Sequence, residues 1–382
     1  MMHVIQSGAV LDAVRDLEVD AATAQELAVP AGAWTLNRAW PRGDGERLSL
    51  EYCRGAHRLA GQWFADAAQR DKVYEATARR AHRDGGVAVA EDVLLQPHGA
   101  DRRLPALRGL LDTPGVRLIV HRPERRAVVE MGGAVRVFAK VVHGGAWDAV
   151  LRSARIAERL PVPTPALLTA GGDGVTRWSV LPGDPLHDAL SAEGVAAAAR
   201  SVRALHDAWP DPELPAHTRD DELGVIDTWI TRLRPFDPEL AAQLVVARDT
   251  VAARFADVPE GPAAMIHRDL HDKQILVAGD RAGLLDFDML AVGEPALDVA
   301  NLLVHLELRA HQGLLPGRDA AALSAAFLAE YRPSAAVRAA LDAYAAATRV
   351  RLAAVYRFRP GWEELVPQLL AGFPEVGCAT AL

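Results

Sequence analysis

The residues best suited to chemistry crowd into one stretch, Met265-Ile266-His267-Arg268-Asp269-Leu270-His271-Asp272-Lys273-Gln274-Ile275-Leu276-Val277, then a turn over 278–283 and Leu284-Leu285-Asp286-Phe287-Asp288. Two short apolar runs joined by a tight turn lie side by side as antiparallel strands. Gln274, just before the first run, and Asp286, just after the second, then end at one edge of the ribbon, with Asp269 on the loop leading in. Phosphoryl transfer needs these parts, because the protein must hold a divalent cation on the phosphates and orient a hydroxyl for in-line attack. The pattern His267-x-Asp269-x-His271-Asp272 also suggests a two-metal hydrolase. Its order differs from the H-x-H-x-D-H arrangement, and that reading leaves the upstream residues below without a task.

A phosphate-handling site also needs cations. Only three of the 42 basic residues are lysine, Lys72, Lys140 and Lys273, so a retained lysine points to a position that needs a compact ammonium. Lys140 ends the second of two predicted hairpins, in which Arg126–Glu130 and Val135–Lys140 flank Gly132-Gly133. The first hairpin, Ser49–Tyr52 against Arg58–Trp63, has a similar pattern of Glu and Arg. After Gly144-Gly145 the 3.6-residue spacing of Trp147, Val150, Leu151 and Ala154 predicts a helix over 147–160, ended by Pro161, Pro163 and Pro165. Glu158 falls on its apolar face, where a carboxylate needs a partner. Strand-like Arg177–Leu181 runs into Pro182-Gly183-Asp184-Pro185, a turn and hinge. Beyond it the chain reads as helical except for the stretch described first. Lys273 is placed on a phosphate or in solvent, His267 on the loop backbone, and Asp298 as a buried acceptor. His206-Asp207 reads as the end of an Ala-rich helix.

His267-Arg268-Asp269-Leu270 with Gln274, then Leu284-Leu285-Asp286-Phe287-Asp288, resembles the catalytic loop and metal motif of the aminoglycoside phosphotransferase family. That family is related to protein kinases and includes choline kinases and maltokinases. Gly293-Glu294-Pro295-Ala296-Leu297-Asp298-Val299-Ala300 is similar to its next segment, so the resemblance covers about residues 116–382. It implies ATP and Mg2+ as cofactors. Asp269 then accepts or orients the acceptor hydroxyl proton, Asp286 and Gln274 hold magnesium, and Lys140, paired with Glu158, grips the α- and β-phosphates. Adenine is expected against the hinge at Ser179 and Leu181, and phosphate cover from Arg125 and Arg126. Two features depart from the family pattern. Gln274 stands where Asn is usual, and the loop Glu130-Met131-Gly132-Gly133-Ala134 replaces a G-x-G-x-x-G.

With 382 residues, 50% of them apolar, the chain holds two or three packed units. The net charge of −8 argues against nucleic acid as partner, and Cys53 and Cys378 alone argue against a disulfide framework. No window approaches 18 uncharged apolar residues and no secretory leader is visible, so the expectation is a cytoplasmic protein that does not enter a membrane. The expected fold is α+β and protein-kinase-like. An extra α/β region over 1–115 caps the small lobe, followed by a small β-rich lobe over 116–182 and a larger helical lobe over 183–382. The expected activity is phosphate transfer from ATP to a hydroxyl of a sugar, aminosugar or aminoglycoside, with Asp288, Glu294 and Glu307 meeting the acceptor. A nucleotide-binding regulator without turnover is the alternative. Oligomeric state is not legible.

Overall fold

The computed structural model describes residues 9–43, 45–80, 85–133 and 135–374. Ala134 of the expected phosphate loop and Cys378 lie outside these. The first region holds α1 (Ala9–Ala13), β1 (Asp16–Val19), α2 (Ala21–Leu27), β2 (Gly32–Arg42), β3 (Arg47–Arg54), β4 (His57–Phe64), α3 (Ala67–Ala78), β5 (Ala88–Ala90), β6 (Val93–Gln96) and α4 (Ala106–Leu111). Its strands make one antiparallel sheet in the order β1-β2-β3-β4-β6-β5, and the expected β3–β4 hairpin is at its centre. Trp34, Leu36, Leu48, Leu50, Tyr52 and Leu59 are fully buried there.

The small lobe is a five-stranded antiparallel sheet, order β10-β11-β9-β8-β7, with one helix beside it. Its elements are β7 (Val116–Arg122), β8 (Arg126–Met131), β9 (Val137–Val142), α5 (Trp147–Ala157), β10 (Leu167–Ala170) and β11 (Val175–Ser179). Leu104, Leu107 and Leu110, around α4, pack under it against Ala127, Val129, Ala139, Val141 and Val175.

The large lobe begins at β12 (Asp184–Pro185) and continues through α6 (Ala192–Asp207), β13 (Ala216–His217), α7 (Arg219–Leu233), α8 (Pro238–Ala256) and β14 (Ala264–Ile266). Then come β15 (Ile275–Ala278), β16 (Arg281–Leu284), β17 (Ala291–Gly293), α9 (Ala296–His311), α10 (Gly317–Tyr331), α11 (Ala335–Tyr356) and α12 (Leu365–Leu369). The helix starts follow local chemistry. Ser191 caps α6, Thr218 and Asp221 form a capping box that starts α7 four residues before its first apolar residue, and Asp237 with Pro238 opens α8.

The described residues before β7 do not sit on the small lobe alone. Their sheet shares one continuous core with the large lobe, through Trp63 edge-on to Phe236 at 5.9 Å and Phe236 edge-on to Phe358 at 5.6 Å. The Ala39 amide of β2 donates to the Phe358 carbonyl at 2.8 Å. The first region therefore spans the outside of both lobes, an arrangement that depends on contacts hundreds of residues apart. Phe358→Ala should cost roughly 3–5 kcal/mol by opening a cavity at this junction. In urea unfolding both regions should lose stability in one transition. A separate, unshifted transition for the first region would show that the core is not shared.

Candidate active site

The loop carrying Asp269 is held by buried polar groups that leave it little freedom. Asp298, in the first turn of α9 and fully buried, accepts from the His267 amide at 2.6 Å and the Arg268 amide at 2.7 Å. His206 Nε2 lies 3.1 Å from the same carboxylate, and its Nδ1 is 2.7 Å from the Tyr331 hydroxyl. Arg268 adopts a left-handed conformation, φ 68°, which turns the chain sharply ahead of Asp269. Beyond it Asn301 Nδ2 donates to the Leu270 carbonyl at 2.7 Å. His267 Nε2 is 2.7 Å from the Leu285 carbonyl, tying the loop to the strand that leads to Asp286. Asp269 itself is half-buried, and its charge is felt by Arg126 and His271.

Asp272 is fully buried, and both its oxygens are taken by Arg309 at 2.7 Å, with His187 Nδ1 at 2.8 Å. Burial pushes this carboxyl up, but the hydrogen bonds and charge of Arg309, with His187, outweigh burial and hold it well below the ordinary carboxylate range. The His-x-Asp-x-His-Asp pattern is thus divided between tasks. Among the described residues no cluster of three His, Cys, Asp or Glu side chains could hold a metal.

The hairpin β15–β16 closes through a two-residue turn, tighter than the expected one, with Ile275 opposite Leu284. The Leu285 amide donates to the Gln274 carbonyl at 2.9 Å, which brings Gln274 and Asp286 to the same edge as the strand pattern predicts. Asp286 is left-handed, φ 59°. Lys140 Nζ lies 3.0 Å from its Oδ1 and Arg126 Nη1 3.0 Å from its Oδ2. Asp288 also pairs with Lys140, and with Arg126 at 3.5 Å. Burial raises the Asp286 carboxyl, and Lys140 and Arg126 more than reverse this, so it stays ionised at any ordinary pH. The same two acids raise Arg126 against its own burial.

Four expected placements change. Glu158 does not meet Lys140: α5 ends at Ala157, and Glu158 is an exposed C-terminal residue whose carboxylate accepts from the Leu167 amide at 3.0 Å. The buried face of α5 is Val150, Ser153, Ala154, Ile156 and Ala157, with no acid, so Lys140 takes its counter-charges from Asp286 and Asp288. The loop 130–134 is at the wrong end of its hairpin. Register pairs Arg126 with Val142 and Met131 with Val137, so the turn beside Asp286 is Pro123-Glu124-Arg125. Glu294 is a structural acid, held by Arg219 at 2.6 and 2.9 Å, the Gly261 amide at 2.8 Å and Tyr344 at 2.9 Å. Glu307 bonds Arg349 at 2.6 Å and borders a separate cavity between α9, α10 and α11.

The hinge is built by close contact. Ser179 bonds both ways with Ala166, amide to carbonyl at 2.9 Å and hydroxyl from amide at 2.8 Å, while Val180 and Leu181 have no backbone partner among the described residues. Gly183 has φ 122°, and a Cβ there would lie 2.7 Å from the Val277 carbonyl oxygen. Gly283 lies beneath Leu181, where a Cβ would sit 2.6 Å from Cδ2. These two glycines let the linker lie on β15 and β16.

Sequence reasoning missed His206, His187, Arg309 and Asn301. Each lies on or beside an element far along the chain and reads there as an ordinary helix or loop residue. Only their long-range partners reveal them.

Comparison with known proteins adds a class. Residues 110–347 match the model of the phosphotransferase enzyme family, and the chain belongs to that family. No curated protein matches its sequence. Among solved structures, it resembles the aminoglycoside phosphotransferase APH(3'')-Id of Streptomyces rimosus in complex with ADP and streptomycin, at 19% identity and TM-score 0.50, over 65% of this chain and 98% of that one. It also resembles an amicoumacin kinase in complex with AMP-PNP, Ca2+ and Ami, at 15% identity and TM-score 0.50, over 67% and 87% of the two chains. At such identities the likeness is one of fold, and the fold is the two-lobed α+β, protein-kinase-like architecture.

The Asp272–Arg309 pair makes a prediction with a definite sign. A carboxyl whose folded value is depressed contributes stability that is present above its unfolded value near 4 and lost as pH falls. Asp272→Asn should cost roughly 3–5 kcal/mol at neutral pH by stranding Arg309. It should also flatten the loss of stability below about pH 4. Equal acid slopes in urea titrations of both proteins would show that the pair does not titrate with folding.

Proposed function

We propose that the chain transfers the γ-phosphate of ATP to a hydroxyl of a small molecule of the sugar, aminosugar or aminoglycoside kind. The observation that carries this is the meeting of Lys140 and Arg126 from the small lobe with Asp286 from the large lobe, beside Asp269. Asp269 orients the acceptor hydroxyl and takes its proton. Val180 and Leu181 offer backbone groups to adenine, and Lys140 and Arg126 exchange carboxylate for phosphate oxygens as nucleotide enters. Asp286 and Gln274 present a carboxylate and an amide oxygen, a donor set that suits Mg2+. Their fit rests on two observations: Asp286 remains ionised although half-buried, and the Gln274 side chain has no partner among the described residues. Bound there, Mg2+ would neutralise charge on the transferring phosphate. Glu294 and Glu307 already pair with Arg219 and Arg349.

A second reading, a nucleotide-binding protein without turnover, is favoured by the cations that cover both oxygens of Asp286. ATP consumption with Mg2+ across aminoglycosides, aminosugars, neutral sugars and sugar phosphates separates the two. Turnover that depends on one acceptor class, and falls about 10²–10⁴-fold in Asp269→Ala, is the expected result. Wild-type turnover in that variant would remove Asp269 from its role. ATP binding with no acceptor phosphorylated would favour the second reading.

A further inference from the structure

Three regions far apart in the chain each deliver arginines to one place. The end of β2 abuts the end of α7, where a Cβ on Gly45 would lie 2.2 Å from Pro235 Cγ. The turn between β7 and β8 is clamped to the same β2 end, with Arg42 Nη1 3.3 Å from the Glu124 carboxylate. Arg42 thus comes from β2, Arg122, Arg125 and Arg126 from the β7–β8 hairpin, and Arg232 from α7. In a protein of net charge −8 this is a strong local excess of positive charge.

Few acids balance it. Glu124 is already shared by Arg42, Arg47 and Arg102, and Arg126 is held by Asp286 and Asp288. Arg122, Arg125 and Arg232 make no ion pair among the described residues. Arg122 Nε and Arg42 Nε and Nη2 are buried with no hydrogen-bond partner. The Arg122 guanidinium lies over the Trp40 ring, 5.5 Å from its centroid, which holds its position without neutralising it. Burial and then the charges of Arg42, Arg125, Arg126 and Arg232 push Arg122 down to about 9. A group of guanidiniums that repel one another, with donors left unmatched, is stabilised by an oxyanion.

Position says which oxyanion. Arg126 reaches Asp286, where the nucleotide's metal belongs, whereas Arg122 lies over Trp40 of β2 and Arg232 is in the last turn of α7, and among the described residues neither bonds Asp286. We propose that the acceptor carries an anionic oxygen group, a phosphate ester or carboxylate, besides its reacting hydroxyl, and that Arg122, Arg125 and Arg232 hold that group. This rests on the kinase reading for the word acceptor, but the anion site itself does not. It makes residues 1–115 part of substrate recognition, because β2 positions both Arg42 and Trp40.

The test is calorimetric titration of inorganic phosphate into the full chain saturated with AMP-PNP and Mg2+, so that the nucleotide's own phosphate positions are filled. One phosphate should bind, at least tenfold more weakly in Arg122→Gln and in Arg232→Gln, with AMP-PNP affinity changed less than threefold. Arg232 is half-exposed on its helix, so its variant keeps the test valid if loss of Arg122 disturbs folding. Absence of phosphate binding, or a loss of AMP-PNP affinity in step with phosphate affinity, would overturn the proposal. Failure of AMP-PNP to bind would instead sink the kinase reading, and phosphate titrated into the free protein would still decide the anion site. In the acceptor panel, sugar phosphates should exceed the neutral sugars and aminoglycosides in kcat/KM. The reverse order would overturn it too.

Discussion

A carboxylate taken out of water needs compensating charge, and Asp286 obtains it from across the molecule. Its burial would favour the neutral acid, but Lys140 and Arg126 hold it ionised. Those two cations sit on adjacent strands of the small lobe, with Val128 opposite Lys140 and Arg126 opposite Val142. One electrostatic cluster therefore joins the two lobes and holds the conformation after β16. Asp288 joins it in the place that a helix acid was expected to fill. With α5 carrying no acid on its buried face, Lys140 and Arg126 are coupled directly to Asp286 and Asp288.

The same logic keeps the loop bearing Asp269 in place. Asp298 and Asp272 are both fully buried, and each is satisfied by several donors. Asp298 fastens the loop before Asp269, and Asp272 fastens it after, through α9 in both cases. A single residue such as Asp269 can remain half-exposed, with no hydrogen-bond partner among the described residues, because the loop on either side is fixed by bonds that cannot be given up cheaply.

The described residues before β7 join this frame and do not simply decorate it. Their aromatic contacts run into the large lobe through Phe236 and Phe358, their leucines support the small-lobe sheet, and their arginines clamp Glu124 beside the cleft. A turn without glycine, Pro123-Glu124-Arg125, is thereby held from outside, with Glu124 at φ 58° and buried. Where a glycine-rich turn was expected, this one carries Glu124 and Arg125, with Arg126 directly after it.

Much of the site was legible in the sequence because its parts are local. The loop bearing Asp269, the β15–β16 ribbon and the edge shared by Gln274 and Asp286 follow from spacing and strand period over some twenty residues, and the helices of the large lobe follow from caps and apolar repeats. The hairpin bearing Lys140 was equally clear, but which of its two ends faces the cleft was not. The six-stranded first sheet was legible only as scattered strands, since its interior strands carry near-continuous burial and no helix-like period. Partner choice was decided by tertiary structure alone. Glu158, Glu294 and Glu307 are acids of the right type whose roles depend on what approaches them, and His206, Arg309 and the converging arginines acquire meaning only from residues tens to hundreds of positions away. Sequence periodicity reports which face of an element is apolar. It carries no record of which charged group, arriving from another element, will share that face, because that is set by the packing of the whole chain.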